Sequence, residues 1–151
     1  MKVISSIEID SNKEQVWQTI TDFNNWSNII GEIHNIEILE KPSNDFVGLK
    51  WIETRTMFGK EATEIMWITS AEVNVFYETR AESHGSIYLT KVSILEKDNR
   101  IILTQEFEGI SQKIIGKIMM KIMGNMFKKS IEKSLYKDLK DIKKFIENSS
   151  Y

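Results

Sequence analysis

The chain of 151 residues has no cysteine. That excludes a disulfide framework, a thiol nucleophile and a thiolate metal site. Proline occurs once, at Pro42, and there are seven glycines, so no stretch reads as a flexible or proline-rich linker. The two histidines, His34 and His84, lie far apart in sequence, which argues against a His-based metal site or catalytic triad. His84 sits in a glycine-containing turn and reads as solvated, while His34 begins a strand. Phosphate-binding glycine motifs and zinc-protease motifs are absent. No apolar run approaches the roughly 20 residues needed to span a bilayer. The start, Met1-Lys2-Val3-Ile4-Ser5-Ser6, lacks the apolar run of a signal peptide. These absences lead to the expectation of a cytoplasmic protein without cofactor or resident metal, in which the sequon Asn25-Trp26-Ser27 has no role. The length suits a single domain over residues 1–151 and is enough to bury a core.

Formal net charge is only -2, yet it is unevenly spread. Residues 1–110 carry ten Lys/Arg against eighteen Asp/Glu, and residues 111–147 carry ten Lys against four Asp/Glu. A basic helix on an acidic body can meet nucleic acid or anionic lipid. The plainer reading makes Lys113, Lys117, Lys121 and Lys128 the solvated stripe of an amphipathic helix, and no nucleic-acid partner is expected.

Lys2 to Ile9 alternates, with Val3, Ser5, Ile7 and Ile9 on one side, and reads as a strand. Ser11-Asn12-Lys13-Glu14 reads as a capping box. It opens a short helix with Val16, Ile20 and Phe23 on one face, followed by a helical turn holding Trp26, Ile29 and Ile30. From His34 the pattern predicts strands over 34–40, 47–57, 60–69, 74–81, 86–97 and 100–108. Turn chemistry separates them at 41–45, Phe58-Gly59, Ser70-Ala71-Glu72, Ser83-His84-Gly85 and Asp98-Asn99. No helix intervenes, so the sheet should be antiparallel.

Two hairpins set the pairing. A two-residue loop at Asp98-Asn99 puts Ile94 opposite Leu103, Val92 opposite Gln105 and Thr90 opposite Phe107, with Tyr88 on the same, inward face. The other face holds Lys91 opposite Glu106, an expected cross-strand ion pair. A two-residue loop at Phe58-Gly59 puts Leu49, Trp51, Glu53, Arg55, Met57, Ala62, Glu64, Met66 and Ile68 on one face. That face carries more large apolar groups and is taken as inward. It also gathers Glu53, Arg55 and Glu64 at its middle. Inside a cavity, an arginine flanked by carboxylates can anchor a polar ligand head, and a desolvated carboxylate can act as general acid or base. The alternative is a charge ladder on the solvent side of the sheet. Tyr88 and Gln105 are further polar handles, or simply a core tyrosine and a rim glutamine.

The last third reads as a long amphipathic helix whose apolar face changes sides. Ile114, Ile115, Ile118, Met119, Ile122, Met123, Met126 and Phe127 form one set, and Ile131, Leu135, Leu139, Ile142 and Ile146 the other. At about 100° per residue the sets project to nearly opposite sides. A break or kink is therefore expected between about Met123 and Phe127, with the methionine-rich arm gating a cavity.

Val16-Trp17 after a strand ending Ile7-Glu8-Ile9, and Leu135 to Lys143 at the far end, resemble the START-like superfamily. The nearest branch in pattern is that of bacterial polyketide cyclases/dehydrases and lipid-transport proteins. The order of elements agrees across nearly the whole chain. The resemblance implies an α+β, helix-grip fold: a curved antiparallel seven-stranded sheet wrapped around a long C-terminal helix, with two short helices after strand 1. It also implies an apolar cavity that takes lipids, polyketides or other hydrophobic molecules. The family has no single catalytic signature, so no catalytic residue is assigned. The leading expectation is a hydrophobic ligand held by Trp51, Glu53, Arg55, Glu64, Met66, Tyr88, Gln105 and Phe107 on the sheet, and by Ile115, Met119 and Met123 on the helix. The alternatives are a cyclase/dehydratase-type enzyme on the same scaffold, or a docking module that meets a membrane periphery or a protein through the basic, methionine-rich helix. Oligomeric state is left open.

Overall fold

The computed structural model describes residues 1–149, so the last two residues of the expected 1–151 unit lie outside the described residues. Strand β1 (Lys2–Ile9) leads into α1 (Lys13–Ile20), a 3-10 turn (Phe23–Asn25) and α2 (Trp26–Ile29). Six strands follow: β2 (Ile33–Glu40), β3 (Lys50–Met57), β4 (Lys60–Glu72), β5 (Phe76–Ser83), β6 (Ser86–Lys97) and β7 (Arg100–Ser111). Helix α3 (Ile114–Asn148) ends the described chain. The strands form one antiparallel sheet in the order β1-β7-β6-β5-β4-β3-β2. This is the helix-grip arrangement. Among the described residues, no helix is long and apolar enough to cross a membrane.

Local chemistry sets the pairings. Phe58-Gly59, His84-Gly85 and Asp98-Asn99 each place both loop residues at positive φ, the geometry that lets a two-residue loop follow strand twist. Met57 therefore pairs with Lys60, Ser83 with Ser86, and Lys97 with Arg100. The two registers read from the hairpin loops hold: Trp51 faces Met66, Glu53 faces Glu64, Val92 faces Gln105 and Thr90 faces Phe107.

Three local expectations need correction. The cap of α1 is Asn12, whose side chain accepts from Gln15 N at 2.8 Å, while Ser11 Oγ donates to Gln15 Oε1. The capping pair thus sits one residue later than the Ser11–Glu14 spacing indicates. The turn expected at Ser70-Ala71-Glu72 falls at 73–75, with Asn74 at positive φ. Lys91 and Glu106 are register partners, but they do not pair. Lys91 reaches Glu78 at 3.5 Å and Glu106 takes Lys2 at 2.9 Å, because each long side chain has a second opposite charge on a neighbouring strand.

The expected break in α3 is also absent. The helix runs unbroken through Gly124. One helix accommodates both apolar sets because only the second is buried. Leu139, Ile142 and Ile146 pack into the core with Ile9, Val16, Ile20, Phe23 and Trp51. Polar ties hold the same half: Glu147 Oε1 accepts from Asp10 N, Lys143 donates to Glu8 O, Asp141 accepts from Gly31 N, and Lys137 pairs with Glu32. In the first half, Ile115 is 77% exposed and Met119 48%. The gating role expected for those two residues is therefore wrong: they face solvent.

This division predicts unequal sensitivity along one helix. Leu139→Ala should cost about 2–5 kcal/mol, since it opens a void in the core. Ile122→Ala, on the exposed stretch, should stay within about 0.5 kcal/mol. Urea unfolding midpoints of the two variants check the contrast.

Candidate functional site

Between the inner face of the sheet and α3 lies a cavity of about 400 Å³. Alternation along each strand supplies its wall: Trp51, Glu53 and Arg55 from β3, Glu64 and Met66 from β4, Tyr77, Thr79 and Ala81 from β5, Tyr88, Thr90 and Val92 from β6, and Gln105 and Phe107 from β7. The helix side is made by Gly116, Met120, Gly124, Phe127, Ile131, Leu135 and Asp138, spaced three or four apart and hence on one face. Trp26 and Ile30 close part of the wall from α2.

All the strand residues expected at the site line this cavity: Trp51, Glu53, Arg55, Glu64, Met66, Tyr88, Gln105 and Phe107. The helix residues expected there, Ile115, Met119 and Met123, do not line it. Gly116, Met120, Gly124 and Phe127 do. The error came from following the largest apolar side chains, whereas the wall uses the face with two glycines. A Cβ placed on Gly124 would meet nothing within 4 Å, so the missing side chain leaves cavity space. Gly116 differs: a Cβ there would fall 2.1 Å from Ser111 Oγ, so a side chain at this position would force Ser111 Oγ to move.

The wall is mostly apolar, with one concentrated polar region. Arg55 Nη2 donates to both oxygens of Asp138, at 3.0 and 2.9 Å, and Nη1 lies 3.4 Å from Glu53 Oε1. Glu53 and Asp138 are buried. Sequence reasoning missed Asp138, although a signal was present. It stands on the same helical face as Ile131, Leu135 and Ile142, a lone carboxylate among apolar residues at spacings of three and four. Burial pushes the Glu53 carboxyl above the usual range, more than Arg55 pulls it back, and the negative Asp138 adds to the rise. Burial likewise raises Asp138 against the pull of Arg55, and raises Glu64 against weaker pulls from Arg55 and His84. Burial opposes the charge on Arg55, but Asp138 and Glu53 together outweigh it, so the guanidinium stays cationic. The Tyr77 hydroxyl, fully buried beside Trp17, Phe23 and Phe46, is pushed up and stays neutral.

Four polar atoms of this wall are left over. Trp51 Nε1, Arg55 Nε, Thr79 Oγ1 and Gln105 Oε1 are buried without a hydrogen-bond partner among the described residues. A buried polar group without a partner costs on the order of 1–3 kcal/mol. Among the described residues, no group of three or more His, Asp or Glu side chains is placed to hold a metal ion.

A family model described as polyketide cyclase / dehydrase and lipid transport matches residues 1–140. No curated protein sequence matches the chain significantly. Among solved structures, a Thermus thermophilus protein superposes with a TM-score of 0.83 at 11% identity, each chain covered 100%. The Zhui aromatase/cyclase of a Streptomyces species gives 0.79 at 14%, covering 100% of this chain and 96% of that one. A START superfamily protein from Mycobacterium smegmatis gives 0.68 at 14%, covering 93% and 98%. At these identities the likeness is one of fold.

Two outcomes follow from the charge cluster. Arg55→Met should destabilise by about 3–5 kcal/mol, because it strands two buried carboxylates. The second concerns pH. The folded pKa of Glu53 lies above its unfolded value. Between those values the native protein holds a proton that the unfolded chain has lost, so the Glu53 contribution to stability falls as pH rises through that window. Glu53→Gln removes this dependence. Its stability relative to the parent should therefore rise with pH, from the ordinary carboxylate range upward, in urea unfolding at a series of pH values.

Proposed function

The chain belongs to the polyketide cyclase / dehydrase and lipid transport family, and we propose that it binds a hydrophobic small molecule or lipid in the cavity between the sheet and α3. The observation that carries this reading is the pairing of a large, mostly apolar cavity with unpartnered polar atoms on its wall. A cavity built of a few placed polar groups in an apolar lining suits a ligand with an apolar body and a polar end. The body lies against Met66, Tyr88, Phe107 and Met120. The polar end meets Arg55 Nε, Thr79 Oγ1 or Gln105 Oε1 and satisfies atoms that the protein leaves bare. Apolar burial drives the association, at about 25 cal/mol per Å² before ordering costs.

A second reading has one specific support. Glu53 is buried, and its carboxyl is held toward the neutral form. A carboxyl in that state can donate a proton to a ligand oxygen, as a cyclase/dehydratase-type reaction would need. On this reading Glu53→Gln keeps binding and loses turnover. On the binding reading it does not change what happens to the ligand.

Gly124 supplies the test. Leucine at this position projects into open cavity space and improves helix propensity, so the fold should be as stable as before or more so. Trp26 and Trp51 line the cavity, so their fluorescence reports on entry. The parent should bind the probe anilinonaphthalene sulfonate saturably, with a change in tryptophan emission. Gly124→Leu should weaken that binding about tenfold, a loss of roughly 1.4 kcal/mol, with Tm held or raised. Equal affinity in both proteins would place the probe elsewhere and sink the reading.

A further inference from the structure

Between Ile114 and Met126, α3 presents an apolar face that covers nothing among the described residues. Ile114, Ile115, Ile118, Met119, Ile122 and Met126 are all exposed, Ile115 and Ile122 at 77% and 75%. Their spacing puts them on one side of the helix, away from Gly116, Met120 and Gly124, which line the cavity. Exposed apolar area this contiguous marks an interaction surface.

Charge says what kind. From Gln112 to Ile131 the chain has five lysines, Lys113, Lys117, Lys121, Lys128 and Lys129, and no acidic residue. No described residue forms an ion pair with any of the five. In the second half of the same helix, Lys137 is paired with Glu32 and Lys143 with Glu147. Lys117, Lys121 and Lys128 border the apolar face on the side toward the cavity. An apolar face edged by lysines is the pattern of a helix that lies in a membrane interface, its stems running along apolar surface and its ammonium groups at phosphate level. A second copy of this chain fits less well, since pairing the face with itself would bring two uncompensated lysine rows together.

The cavity reaches the surface at the same place. Phe58, Ile110 and Phe127 line it and are also exposed. Phe58 and Phe127 meet edge to face, with ring centroids 5.6 Å apart. We propose that the first half of α3 docks on an anionic lipid surface, with Ile115, Ile118 and Ile122 turned to the acyl chains and the cavity opening beside the docked helix. The docking does not depend on what the cavity holds, so it stands or falls apart from the binding reading.

Co-sedimentation with phosphatidylcholine vesicles, with and without phosphatidylglycerol, tests this. The full chain should sediment with the anionic vesicles, and added salt should release it. Lys117→Gln/Lys121→Gln should lower partitioning roughly 25-fold, about fivefold for each lysine near the surface. Ile118→Ser/Ile122→Ser should reduce it by at least about tenfold. Both pairs are exposed, so Tm should not move. Failure to sediment with anionic vesicles would overturn the proposal. So would full binding by the Ile118→Ser/Ile122→Ser protein with its Tm intact. A third overturning result is a concentration-dependent dimer in sedimentation equilibrium that the same variant dissolves, without vesicle binding. That would assign the face to a second copy.

Discussion

Among the described residues, the Arg55–Asp138 contact is the ion pair that joins the sheet, at β3 beside its β2 edge, to the second half of α3. Its position decides what the two elements can enclose. Toward the C-terminal end of α3, apolar side chains from helix and sheet meet and exclude space. Between Gly116 and Asp138 the helix and the sheet bound the cavity. The ion pair sits on the cavity wall, where side chains of both elements are within reach of one another. A pair of apolar residues of similar volume would hold a helix to a sheet as well or better, since two charges must leave water to meet. The arrangement therefore makes little sense as a device for stability alone.

Helix α3 shows how one continuous segment serves two physical environments. Its second half obeys the ordinary rule for a helix on a sheet: one apolar face inward, lysines outward, ties to the β1 and α2 regions. Its first half inverts that rule. Gly116, Met120, Gly124 and Phe127 face the cavity, and the isoleucines with Met119 and Met126 face out. Gly116 permits a close approach at Ser111, and Gly124 leaves space unfilled. The inversion requires no break, because backbone hydrogen bonds within a helix are indifferent to which side is wet.

Most of the sheet was legible before the structure. Two-residue loops with glycine, aspartate or asparagine at the required positions set the register, and register sets faces. Hence Glu53, Arg55 and Glu64 could be placed on the inner face from alternation alone. The helix wall was not legible in the same way. Periodicity reports where apolar residues cluster and assumes that the cluster is buried, and in residues 114–127 that assumption fails. Ile115, Met119 and Met123 were favoured for their side chains, yet the wall there is the face that carries Gly116, Met120, Gly124 and Phe127. Asp138 could have been found, as a carboxylate on an apolar stripe. Its partner could not, because nothing in the chain says that residues 55 and 138 meet.

The composition of the polar cluster carries one more consequence. Three carboxylates, Glu53, Glu64 and Asp138, surround a single guanidinium, and burial raises all three. Full ionisation would leave excess negative charge beside an apolar cavity, where it is poorly solvated. Burial opposes that ionisation by holding each carboxyl toward its neutral form. Asp138 has the shorter, two-oxygen contact with Arg55 and is the better placed to stay ionised. Glu53, farther from the guanidinium and equally buried, is the better placed to hold a proton. In its neutral form Glu53 is a donor, and Arg55 Nε is a further donor on the same strand, while the unpartnered Thr79 and Gln105 atoms lie two and four strands away. A ligand that presents carbonyl or hydroxyl oxygen to this wall can give one of these unsatisfied groups its partner. A purely hydrocarbon ligand relieves none of them. On the proposed binding reading, the favoured ligand is an amphiphile with oxygen at one end.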